Sequence, residues 1–158
     1  MKVHDLRLER VAGRTEVTDG SQRALVVDDE EIIRYVLSED LREMGYECAE
    51  ASCGEDALEQ FANQKFALVV LDVRMPGMGG LEAMKMIRAS CQETCVIMIS
   101  GIENPDIAGR AMTGMGADAF VSKPWRRGEL RSTIQRAVRE RSAIGSQSSA
   151  VPSLSAGD

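Results

Sequence analysis

Five short apolar runs, set apart by longer segments of helical period, constrain this chain more than any other feature. They are Ala24–Val27, Tyr46–Ala51, Ala67–Leu71, Val96–Ile99 and Ala119–Val121. The stretches ALVV, ALVVL and VIMI contain no polar residue at all, whereas a strand with one wet face alternates. Strands buried on both faces belong to parallel sheets wrapped by helices. Between the runs, Ile33, Val36, Leu37, Leu41 and Met44 fall at helical spacing, and Gly45 suits the stop. Ser52 followed by Glu55 has the capping-box spacing of a second helix, Leu81 to Arg88 carries a third, and Asn104–Pro105 suits the N-cap and first turn of a fourth. The last helix is expected from about Arg127 to Arg141, with Leu130, Ile134, Ala137 and Val138 on one face. The pattern predicts an α/β fold: an open (βα)5 parallel sheet with helices on both faces.

A chain of 158 residues can close one such core without staples. Its net charge of −6 and pI of about 4.9 argue against direct nucleic-acid binding and against an anionic membrane partner. The charged start (Lys2, Asp5, Arg7, Glu9, Arg10) has no apolar h-region and no stretch reaches membrane length, so a cytoplasmic location is expected. Cys48, Cys53, Cys91 and Cys95 form no C-x-x-C pair and the one histidine is His4, a poor set for zinc; free thiols are expected. Residues 1–21 read as a flexible leader, 22–142 as the folded domain, and the Ser/Ala/Gly-rich 143–158 as a disordered tail or truncated linker.

Ligands of open parallel sheets bind beyond the carboxyl ends of the strands, where strand order reverses. The residues there are Asp28, Asp29 and Glu30 after the first run, Asp72 after the third, Ser100 and Gly101 after the fourth, and Lys123 and Pro124 after the fifth. Singly, each has an ordinary reading: an acid after a strand caps a helix or faces water, Ser-Gly turns, and a lysine beside proline is solvated. Their convergence on one sheet edge is what those readings leave unexplained.

The stretches LVVDDE, LVVLDVRMPGMGG, VIMISG and GADAFVSKPW, in this order and spacing, make residues 22–142 resemble the receiver domain of two-component response regulators. The resemblance implies a flavodoxin-like sheet of strand order 2-1-3-4-5. It also implies roles. Asp72 would be the phosphoacceptor. Asp28, Asp29 and Asp72, with the backbone carbonyl of Arg74, would hold Mg²⁺, for which Mn²⁺ can substitute. Ser100 would be the hydroxyl switch residue, Phe120 the aromatic switch residue, and Lys123 the lysine that pairs with the phosphoryl group. The Lys123–Pro124 bond would be the family's cis peptide. Two positions depart from the family: Phe120, where tyrosine is frequent, leaves any switch there to rotamer packing, and Gly79, where aspartate is frequent, bears on the loop after Asp72.

Electrostatics point to the same site. Three carboxylates ~5 Å apart repel by about 3 kcal/mol per pair at an effective dielectric near 20, so without positive charge some would hold protons. Lys123 and a divalent ion together neutralise three acids and leave an Asp72 oxygen free as a nucleophile. Mg²⁺ suits hard oxygen ligands and phosphoryl oxygens. Transfer then requires in-line positioning and neutralised equatorial oxygens, with no general base. The expected function is a signalling module, not an enzyme acting on free substrates; it would catalyse only its own phosphorylation and dephosphorylation. The donor would be a histidine kinase or phosphotransfer protein, the output a changed surface for a downstream protein target, with homodimerisation on phosphorylation left open. The alternative is a Mg²⁺-dependent aspartate-based phosphohydrolase, but the D-x-D acid pair of such enzymes is missing because Arg74 stands two residues after Asp72.

A new negative charge at Asp72 would draw Ser100 inward with the segment PDIAGRAMTGMGADAF. Gly109, Gly114 and Gly116 each lower helix stability there by about 1 kcal/mol relative to alanine. In the last helix Arg126, Arg127, Arg131, Arg136, Arg139 and Arg141 outnumber Glu129 and Glu140, which reads as a solvated basic face or a docking surface for an acidic partner.

Overall fold

The computed structural model describes residues 22–101, 108–110 and 114–150, the last six as backbone only. Five strands, β1 (Arg23–Val27), β2 (Glu47–Ala51), β3 (Leu68–Asp72), β4 (Cys95–Ser100) and β5 (Ala119–Ser122), pair in parallel in the order β2-β1-β3-β4-β5. The four helices among the described residues are α1 (Glu31–Glu43), α2 (Gly54–Asn63), α3 (Gly80–Ser90) and α4 (Arg127–Ala150). The expected class and strand order are those observed. Asn104–Pro105, the leader 1–21 and residues 151–158 lie outside the described residues.

The two-faced burial inferred from the apolar runs is literal. All residues of β3 and β4 are buried. Leu25, Val27, Val69, Leu71, Val96 and Met98 point to one face, against Ala57 of α2 and Ala83, Met84 and Ile87 of α3. Ala24, Val26, Leu68, Val70, Ile97 and Ile99 point to the other, against Leu37 and Leu41 of α1 and Leu130, Ile134 and Ala137 of α4. Each large aliphatic side chain so buried stabilises the fold by roughly 1.5–3 kcal/mol. The sheet is therefore a stiff mount for whatever its carboxyl edge carries.

Helix boundaries show where local signals hold and where they yield. Gly45, with φ of +102°, ends α1 in the left-handed conformation that glycine takes without strain. The N-cap of α2 is not Ser52 but Cys53, whose Sγ accepts from the Asp56 N–H at 3.5 Å. Glu55 does not close a capping box; its carboxylate accepts from the Met78 N–H at 3.2 Å, in a different loop. At the start of α3, a Cβ on Gly80 would stand 1.9 Å from the Asp72 carbonyl oxygen, so glycine alone lets this helix begin against the end of β3. Helix α4 runs to Ala150, past Arg141 and into the segment expected as tail. Once Leu130, Ile134 and Ala137 have docked, adding residues no longer carries the nucleation cost that limits isolated helices.

The basic character of α4 is partly consumed inside the molecule. Arg127 meets Asp40 and Glu43 at 2.8 Å, Arg131 meets Glu43 at 2.9 Å, and Arg141 meets Asp118 at 2.7 Å. Three of the six arginines thus tie α4 to α1 and to the entry of β5. The cysteines are free thiols, and burial pushes Cys48 up to about 11 and Cys95 up to about 12. No helix among the described residues is long and apolar enough to cross a membrane.

Candidate functional site

Strand order reverses between β1 and β3, and the residues that follow these two central strands meet there. Carboxylate oxygens of Asp28, Asp29 and Asp72 lie within 4.8 Å of one another. Asp28 and Asp72 are buried and Asp29 is exposed, so the cluster has two acids in the floor and one at the mouth. Lys123, beyond β5, reaches across: its Nζ is 2.9 Å from Asp28 Oδ2, 3.4 Å from Asp72 Oδ1 and 3.6 Å from Glu30 Oε1. A lysine separated from Asp72 by α3 and β4 is placed by the sheet, not by local sequence.

Backbone groups hold this arrangement from below. The Glu30 N–H donates to Asp28 Oδ1 at 2.9 Å, which turns the other oxygen toward Lys123. Arg34 of α1 donates to the Asp28 carbonyl at 2.8 Å and pairs with Glu50 at 3.3 Å. Glu50 also accepts from the Ser38 hydroxyl at 2.9 Å. The Arg74 backbone lowers the Asp72 pKa. Ser100 is buried at the end of β4, in register with Ser122, and its carbonyl accepts the Lys123 N–H at 2.7 Å. The peptide after Lys123 is cis. Phe120 is half-buried, packed against the core on the α2–α3 face.

The charges interact strongly. Burial, and then the charge of Asp28, push the Asp72 carboxyl up to about 6, against the opposing pull of Lys123 and the Arg74 backbone. Burial disfavours the Lys123 ammonium, but its contacts with Asp28 and Asp72 outweigh that and raise its pKa. Asp28 Oδ2 is wholly buried and has no hydrogen-bond partner. Its close contact is the ion pair with the Lys123 ammonium at 2.9 Å.

Of the residues singled out in the sequence, Asp28, Asp29, Asp72 and Lys123 gather in one place, with Ser100 at the adjoining strand end. Phe120 lies on β5, three residues before Lys123. Two neighbours of the site carried no sequence signal beyond proximity to a strand end or none at all: Glu30, in contact with Lys123, and Arg34, beneath Asp28. Of the segment expected to move with Ser100, residues 105–107 and 111–113 lie outside the described residues.

A doubly wound five-stranded sheet with its acids and lysine gathered at the switch point is the CheY-like form of the flavodoxin fold. Residues 24–135 match the model of the response regulator receiver domain, and the chain belongs to that family. It is 33% identical over 129 residues to the alkaline phosphatase synthesis transcriptional regulatory protein PhoP of Bacillus subtilis, an alignment covering 82% of this chain and 53% of that protein. Among solved structures it resembles a CheY-like receiver domain protein from Methanospirillum hungatei (TM-score 0.73, 26% identity, 78% of this chain and 98% of that one). It also resembles TrrA from Thermotoga maritima in complex with Mg²⁺-BeF (TM-score 0.65, 36% identity, 73% and 98%). The chain spans roughly half or less of the length of curated relatives such as PhoP and the AtoC regulatory protein of Escherichia coli.

Proposed function

We propose that residues 22–142 form a phosphoryl-accepting switch in which Asp72 takes a phosphoryl group from a histidine kinase or phosphotransfer protein. The observation that carries this reading is the bridge of Lys123 to both Asp28 and Asp72 inside a three-carboxylate cluster. An ionised Asp72 oxygen attacks phosphorus, the new P–O bond forms as the P–N bond of a phosphohistidine breaks, and the departing electron pair remains on the imidazole. Lys123, 3.4 Å from Asp72 Oδ1, then faces the equatorial oxygens.

The donor set fits a divalent cation, because it offers hard carboxylate oxygens and one buried oxygen with no hydrogen-bond donor of its own. Asp28, Asp29, Asp72 and the Arg74 carbonyl would hold Mg²⁺, or Mn²⁺ in its place, which neutralises charge on the carboxylates and the transferred group. Ser100 and Phe120 are assigned as the residues that read the new charge and pass it to a downstream protein. The likeness to a receiver recorded with Mg²⁺-BeF supports the cation assignment.

Incubation with acetyl phosphate and Mg²⁺, followed by intact-mass analysis, tests the reading. A single phosphoryl adduct is expected; none with acetyl phosphate or with any purified histidine kinase of the source organism would overturn it. Asp29→Ala is expected to weaken Mg²⁺ by about tenfold or more, because it removes one of few charged ligands. Titration followed through Trp125 fluorescence measures this, and unchanged affinity contradicts the ligand assignment.

Lys123→Ala separates transfer from response. The carboxylates stay in place, so the variant should still be phosphorylated by a small donor, more slowly. Its conformational response should fall more steeply, because β5 loses its tie to the new charge. Hydrogen exchange across residues 101–122 with beryllofluoride reads the response, and wild-type changes in the variant remove the lysine from signal transmission.

A further inference from the structure

The S-x-x-E motif at Ser52–Glu55 resembles a capping box, yet its glutamate serves another element. Glu55 lies in the first turn of α2, and its carboxylate accepts the Met78 N–H at 3.2 Å, bridging 23 residues of sequence. Two glycines make room for this contact. Gly77 has φ of +77°, and a Cβ there would stand 3.2 Å from Glu55 Oε2; a Cβ on Gly54 would stand 2.9 Å from the Met78 carbonyl oxygen. The backbone of the loop from Val73 to Gly79 is bonded at its base, by Val73 N–H to Ile99 O at 2.8 Å and Gly80 N–H to Val73 O at 2.9 Å, while Met75 and Met78 pack against the core. Glu55 fastens its tip. Between tip and base lies Arg74, two residues after Asp72, whose backbone lowers the Asp72 pKa.

We infer that Glu55 is a positioning residue for the phosphoacceptor site, clamping the Arg74–Met78 loop from α2 so that Arg74 keeps its place beside Asp72 and its carbonyl would stay available to a bound cation. This rests on the receiver reading above. Glu55 is exposed at the protein surface, so replacing it leaves the core intact, and its carboxyl is held below the usual range by its own and the Met78 backbone N–H. The clamp needs an acceptor oxygen, not a charge.

The experiment uses the full chain. Mg²⁺ affinity is followed through Trp125, the phosphorylation rate with acetyl phosphate by intact mass, and the Met78 amide by hydrogen exchange. Glu55→Ala is expected to weaken Mg²⁺ about fivefold, slow phosphorylation comparably and deprotect the Met78 amide, since partners behind metal ligands carry effects of roughly tenfold. Glu55→Gln keeps an acceptor oxygen and should restore all three readouts to within about twofold of wild type. Gly77→Ala crowds the same contact from the loop side, and its effect on Mg²⁺ should not add to that of Glu55→Ala, as coupled residues do not. If Glu55→Ala lowers thermal stability while Mg²⁺ affinity and rate stay at wild type, or Glu55→Gln behaves like Glu55→Ala, the clamp is refuted. A wild-type chain that neither binds Mg²⁺ nor accepts phosphate refutes the receiver reading, and this inference with it.

Discussion

Asp72→Asn is expected to abolish phosphorylation entirely and, without Mg²⁺, to make the protein more stable by on the order of 2 kcal/mol at neutral pH. Both effects come from one carboxylate. The amide has no ionised oxygen to attack phosphorus, so no phosphoryl adduct should survive. The stability gain follows from the Asp72 pKa of about 6, compared with about 3.9 in an unfolded chain. Between about pH 4 and pH 6 the folded state then binds more protons than the unfolded state, so stability falls as pH rises through that window and levels off above it. The wild type without metal should show that slope and Asp72→Asn should lack it. Denaturant titrations of both proteins from pH 4 to 8 measure the difference. A residual adduct in the mutant would displace Asp72 as acceptor, and parallel pH profiles would show that its carboxyl is not strained by burial and by Asp28.

Asp118→Ala is expected to cost about 3–5 kcal/mol while leaving the Asp72 site in place. Asp118 sits at the opposite end of the sheet from the acids. Its Oδ2 accepts from Arg88 at 3.0 Å and from the Val96 N–H at 2.9 Å, and its Oδ1 accepts from Arg141 at 2.7 Å. Arg88 also donates to the carbonyls of Gly116, Gln92 and Thr94. The carboxylate side chain is 11% exposed, as is that of Arg88, so removing it leaves two guanidinium groups facing each other with no counter-charge between them. Asp118→Asn keeps acceptor capacity and should cost less than half as much. Chemical denaturation gives both numbers, and a loss below about 1 kcal/mol for the alanine variant would mean that water replaces the carboxylate at this junction.

The sheet was legible because burial on both faces leaves a local trace: five short runs became five strands with ends shifted by a residue or so, as at Cys95–Ser100. Asp72 was legible because a polar residue at the end of such a run is conspicuous. Contacts between elements left no comparable trace. Nothing near Glu55 in sequence announces Met78, and the spacing that suggested a capping box described a carboxylate used elsewhere. The six arginines of the last helix looked like one basic face because the acids that engage Arg127, Arg131 and Arg141 lie in α1 and ahead of β5. The end of α4 was missed for a different reason: its continuation past Arg141 follows from a helix already nucleated, which composition does not record.

Asp28, Asp72, Ser100 and Lys123 come from the ends of four strands, and Lys123 follows the last strand to be made. On a chain whose sheet has not closed, Asp72 is an ordinary solvated carboxylate with no lysine opposite it and no second acid to gather a cation. The receiving post exists only in the finished molecule. Copies that end before β5 therefore lack Lys123 and the assembled cluster, and under the proposed reading would offer a phosphoryl donor no complete site.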